Sequence, residues 1–185
     1  MQSKISLERF LDQTATRGTW YGGGSAAALA CALAAALLEK LASRPTTIGS
    51  IRTVRTTCAR LIHQDATAFA RVIEAQARRD HHAVQQALKT AIDIPWQVYA
   101  CSRRLLRASF PIRQTISPRF RSDLRCAVAL AKASGEAARV LVMTNLAWLG
   151  DGAYSRRVYS RLRRETRRIA AWRLRRSTRK QFARL

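Results

Sequence analysis

The chain has 185 residues, enough for one compact domain with a core of its own. Hydrophobic residues make up 48%, many of them alanine, and β-branched runs are scarce, which favours closely packed helices over a sheet. Thirty-four Lys and Arg against eleven acids give a formal charge of +23, which implies an anionic partner or, as the alternative, a genome-wide bias toward arginine and alanine codons.

In chain order, Ser6 reads as the cap of a first helix, "SLERFLDQTA", with Leu7, Phe10 and Leu11 on its apolar face. The following segment, with Trp20, Tyr21 and three consecutive glycines, is expected to be irregular, because a glycine run loses too much entropy in a helix. Ser25 is expected to cap the next helix. Thirteen apolar residues, Ala26 to Leu38, make that helix apolar all round and therefore central. The run is shorter than the roughly 20 residues needed to cross a bilayer. "MQSKISLERF" lacks the apolar run of a signal peptide, so a cytoplasmic protein without membrane attachment is expected.

"SRPTTIGS", Ser43 to Ser50, reads as a break. From Ile51 to about Arg78 a helical period returns through Val54, Cys58, Leu61, Ala66, Phe69 and Val72. A further helical stretch follows Asp80, with Pro95 expected to kink it or start a new helix. Ser109 to Asp123 holds two prolines and reads as a loop. Leu124 to Leu149 is a long helix ended by Gly150, and Tyr154 to about Phe182 is the last. In that last helix Val158, Leu162, Ile169 and Trp172 can face a neighbour, while thirteen basic residues from Arg156 to Arg184 oppose only Glu165. The expected fold is all-α: a single-domain antiparallel helical bundle over residues 1–185, kinked near Pro95, with an Arg-rich terminal helix at 153–185.

Cys31, Cys58, Cys101 and Cys126 lie in separate segments without a C-x-x-C pair, so neither a zinc site nor a disulfide framework is expected. His63, His81 and His82 complete no metal constellation. A glycine triplet followed by serine at a helix start resembles a phosphate cradle, yet no strand precedes it and no Gly-Lys-Ser/Thr ending follows. Tight helix packing explains the glycines equally well. Acids are scarce, so an acid among apolar positions stands out. Asp65, in "LIHQDATAFARV", needs a partner if it is buried, either a reacting group or an arginine. Asp123 is a candidate carboxylate or, with Ser122, a helix cap; Asp93 can be a helix-end residue before Pro95.

Four stretches, in order, resemble the landmarks of the cyclodeaminase/cyclohydrolase family: "FLDQTATRGTWYGGGSAAALACALAAALLEKLA", "DATAFARV", "ALKTAIDIPWQVYACS" and "SDLRCAVALAKASGEAARVLVMTNL". The resemblance covers roughly Leu7 to Leu146. It implies an all-helical domain that pairs as a homodimer, binds folate beside the glycine-rich turn, and works on the one-carbon bridge of tetrahydrofolate. No cofactor beyond that substrate is implied. By position, Gly22, Gly23, Gly24 and Ser25 would contact substrate, Asp65 and Asp123 would supply catalytic carboxylates, and Asn145 matches a further family position. Tyr21 stands where the family usually has proline.

Two activities fit: a methenyltetrahydrofolate cyclohydrolase or a formiminotetrahydrofolate cyclodeaminase. The lack of a transferase domain in the sequence favours the first. The positive charge suits a polyglutamylated folate, whose tail offers several carboxylates. The rival reading is a catalytically degenerate relative, a scaffold or a nucleic-acid-binding protein acting through Arg156–Arg184.

Overall fold

The computed structural model describes residues 5–182, with side chains through residue 167. Contacts divide the chain into two units, residues 1–149 and 150–185. The first holds α1 (Leu7–Ala15), α2 (Gly23–Leu41), α3 (Pro45–Ala77), α4 (His81–Thr115), a 3₁₀ turn at Pro118–Phe120, and α5 (Arg121–Leu149). The second is α6 (Gly152–Phe182). The described chain is all-α, as its composition and period imply.

Cross-helix contacts fix the topology of the first unit. Ser25 at the start of α2 meets Asp65 late in α3, and Glu39 at the end of α2 meets Arg52 and Arg55 early in α3. Ser134 of α5 donates to the Ala27 carbonyl, while Lys40 meets Asp123. Asn145 and Ala91 join the end of α5 to the start of α4. Helices α2 to α5 therefore alternate in direction as an up-down-up-down bundle.

α2 is the central element. Ala27, Ala28, Cys31, Ala34, Ala35 and Leu38 are buried, and their short side chains let α2 contact α4 across the bundle as well as its two neighbours. Gly23–Leu41 is long and apolar enough to cross a membrane by composition alone, but this packing gives the run a structural use within the fold. Cys31, Cys58 and Cys101 from three helices converge there as buried thiols, whereas Cys126 is exposed. A close approach also joins α4 to α5: a Cβ at Gly135 would lie 2.4 Å from Ser102 Oγ, so any side chain there requires Ser102 to move.

Three sequence expectations change. "SRPTTIGS" is the start of α3 rather than a break, with Pro45 at its first position, where a missing N–H costs nothing. Of the two alternatives at Pro95, a new helix does not begin there: α4 runs unbroken from His81 to Thr115 through both Pro95 and Pro111. An interior proline costs about 3 kcal/mol in an exposed helix. Here Ile92, Ile94, Pro95, Val98 and Tyr99 are all buried, and their packing outweighs that cost. The expected loop from Ser109 thus contracts to residues 116–117 and the 3₁₀ turn. In α6, Val158 and Leu162 are buried, while Ile169 and Trp172 lie beyond the described side chains.

Candidate functional site

The start of α2 leaves its first amide groups without intrahelical acceptors. Ser25 was the expected cap, but the N-cap is Gly22, which offers no side chain, and Ser25 lies inside the first turn. Asp65 of α3 takes over that role from forty residues away. Its Oδ2 accepts from Ser25 Oγ at 2.9 Å, and the Ser25 amide also donates to its carboxylate. Ser25 Oγ lies 3.0 Å from the Ile62 carbonyl as well, so the hydroxyl is held between α2 and the turn of α3 that carries Asp65.

This arrangement explains one glycine of the three. A Cβ at residue 24 would fall 2.0 Å from Asp65 Oδ1 and 2.4 Å from its Cγ. Gly24 is needed because the carboxyl occupies the place of a side chain. A Cβ at Gly22 meets nothing within 4 Å, and one at Gly23 meets only Leu141 methyls at ordinary contact distance. The anion at the positive end of α2 is therefore the protein's own carboxylate, with Gly22 and Gly23 presenting backbone beside it.

Asp65 is half-buried, and its burial raises the carboxyl above the ordinary value of 3.8, against the opposing effect of its hydrogen bonds from Ser25. A carboxylate of raised basicity, carried by α3 and held against α2, is suited to taking a proton as a general base.

Around this point lies a second group that sequence spacing did not reveal. Tyr21, just before the glycines, places its hydroxyl 2.8 Å from His63 Nδ1. Phe10 of α1 packs edge-on against Tyr21, and Trp20 against Phe69, tying the irregular segment to α3. His63 forms part of the wall of a groove of about 480 Å³ between α3 and α4, along with Gln64, Thr67, Arg71, Asp93 and Gln97. Ala68 and Ile94 add apolar surface to its wall. The signal in the sequence was Tyr21 in a position where proline is usual; a 42-residue separation hid its partner.

The expected site residues do not all come together. Gly22 to Gly24, Ser25 and Asp65 do. Asn145 belongs to the same end of the bundle, one turn past Leu141, and its amide donates to the Ala91 carbonyl at 2.6 Å, clamping α5 to α4. Asp123 does not join them. It pairs with Lys40 at 2.9 Å, fifteen residues beyond Ser25 on α2, which is roughly 22 Å along the helix. The antiparallel course of α2 and α5 puts the start of α5 beside the end of α2, so within one protomer Asp123 is a surface ion-pair partner rather than a second carboxylate of the Asp65 site.

Comparison with known proteins agrees with this architecture. The family described as formiminotransferase-cyclodeaminase matches residues 6–164. The crystal structure of formiminotetrahydrofolate cyclodeaminase from Thermotoga maritima superposes with a TM-score of 0.82 at 22% identity, over 91% of each chain, and so shares the fold. No curated protein matches by sequence. With a family match over most of its length and the glycine-serine turn closed by Asp65, the chain belongs to the formiminotransferase-cyclodeaminase family.

Proposed function

We propose that the protein is a folate one-carbon enzyme, acting as a methenyltetrahydrofolate cyclohydrolase or a formiminotetrahydrofolate cyclodeaminase. The observation that carries this is the Asp65 carboxyl fixed against Gly24 and Ser25, with its basicity raised by burial. In the hydrolytic reaction, ionised Asp65 accepts a proton from water as the water oxygen bonds to the cationic methenyl carbon. The carbon–nitrogen bond then breaks, its electron pair returns to nitrogen, and nitrogen receives the proton. In the deaminating reaction the second bridge nitrogen, outside the pterin ring, adds to the carbon of the protonated formimino group on the ring nitrogen and gives its proton to Asp65; the bond from that carbon to the formimino nitrogen then breaks, and ammonia leaves with that proton. Both use one positioned acid–base group and a site that orients the ring.

Two substrates test the proposal. Purified protein is expected to bleach the absorbance of methenyltetrahydrofolate or to release ammonia from the formimino compound, well above the rate without enzyme. Loss of neither substrate at micromolar enzyme refutes it.

The active form is proposed to be a homodimer. Leu33 and Ala36 on α2 and Ala133, Ala137 and Val140 on its neighbour α5 are exposed apolar side chains, with Lys132 and Glu136 of α5 among them. Small apolar side chains on two adjacent helices suit a second copy of the same surface. Leu33→Arg is expected to convert a dimer into a monomer in light scattering at micromolar concentration, with helicity kept. A monomeric parent chain would refute the assembly.

A further inference from the structure

The arginines of α6 lie partly outside what the family fold accounts for. The family match stops at residue 164, midway along a helix that continues to Phe182. Twelve Arg and one Lys lie between Arg156 and Arg184. In the described part, Arg156, Arg157, Arg161, Arg163, Arg164 and Arg167 are all exposed. At 3.6 residues per turn they fill a continuous arc of about 160°. Val158, Leu162 and Glu165 fall outside that arc, so no acid interrupts it.

Like charges spaced three and four apart destabilise a helix by about 0.2–0.5 kcal/mol per pair. Arg157–Arg161, Arg161–Arg164, Arg163–Arg167 and Arg164–Arg167 all have such spacings. An anionic partner along the arc reverses their sign. Arginine is the cation whose planar fork matches phosphate oxygens in pairs. From Arg156 to Lys180 the helix runs about 36 Å, near the length of one turn of duplex DNA, and a helix of this width fits the major groove.

A lipid surface is the poorer match. Insertion at an interface needs a broad exposed apolar face, whereas Val158 and Leu162 are already buried.

We infer that α6 is a nucleic-acid-binding element that tracks the phosphate backbone without reading sequence, independently of the chemistry at Asp65. The test uses the full chain with labelled 20-bp DNA and 20-nucleotide RNA in fluorescence anisotropy, over about 50 to 200 mM KCl. Submicromolar binding at low salt is expected, with a log–log salt slope near −5 on duplex if six phosphates are engaged. Tighter binding of either form identifies the preferred strand state.

The triple variant Arg156→Gln/Arg163→Gln/Arg167→Gln is expected to lower the magnitude of that slope by about 3 and to weaken binding at least tenfold. Its helicity and folate turnover should stay at the parent's level. A charge-matched triple on the bundle, Arg60→Gln/Arg113→Gln/Arg125→Gln, should have a clearly smaller effect. Three results overturn the inference: no binding below micromolar at 50 mM salt, equal losses in the two triples, or capture by anionic phospholipid vesicles without binding to either nucleic acid.

Discussion

Gly24→Ala is expected to destabilise the protein by about 1–3 kcal/mol and to abolish activity, whereas Gly23→Ala is expected to be neutral or to stabilise it by up to about 1 kcal/mol. Alanine is intrinsically the better helix former at both positions, by about 1 kcal/mol. At Gly23 the new methyl meets Leu141 at 3.8 Å, an ordinary contact. At Gly24 it would lie 2.0–2.6 Å from three atoms of the Asp65 carboxyl. Asp65 is short and already bonded to Ser25, so no slight rotation makes room. The carboxyl must leave, which removes the cap from α2, at about 1 kcal/mol, and strands a half-buried acid without its partners, at about 1–3 kcal/mol more. These losses exceed the propensity gain. Denaturant melts of the two variants should therefore diverge in opposite directions. Combining Gly24→Ala with Asp65→Ala removes the clash, and the pair should be less destabilised than the sum of its singles. Equal stability of both single variants would mean that the carboxyl is not held where the structure places it.

The contrast within one triplet shows what the sequence could and could not convey. A glycine run next to serine announced a special turn, and a lone acid among apolar neighbours announced a group in need of a partner. Both readings concern local chemistry, and both hold. That the partner of each was the other depends on α2 and α3 running antiparallel with Ser25 level with Asp65, a relation no residue spacing records. Asp123 illustrates the same limit from the other side: its residue type suited catalysis, but its position beside Lys40 follows from the antiparallel pairing of α2 with α5.

The prolines were misleading for a different reason. Local rules treat Pro45 and Pro111 as breakers, yet the first sits where a helix begins and the second within a helix held by Ser109 and Ile112 in the core. Burial outweighed propensity, and burial is a tertiary property. By contrast, the body of α2 was legible, since so apolar a helix packs at the centre, although it starts at Gly23, inside the glycine run expected to be irregular and ahead of the expected cap at Ser25.

Asp65→Asn is expected to lower kcat on methenyltetrahydrofolate or its formimino counterpart by about 10²–10⁴, the usual worth of a positioned acid–base group, while leaving KM within a few-fold. Asparagine keeps an oxygen for the Ser25 amide and hydroxyl, so the fold and the turn should survive the change. The pH dependence separates a chemical role from a structural one. Because burial raises the Asp65 carboxyl above 3.8, the parent's rate should fall on acidification at a higher pH than a free aspartate would give, as the base takes up its proton. That limb should vanish from the residual activity of the variant. The effect on stability has the opposite sign. A carboxyl that is harder to ionise in the folded state favours folding while protonated, and this contribution is lost as pH rises from the ordinary value through the raised one. Relative to Asp65→Asn, the parent should therefore lose stability across that window and change no further above it. A variant that turns over at the parental rate, with the acidic limb intact, would remove Asp65 from the chemistry and leave it only as the cap of α2.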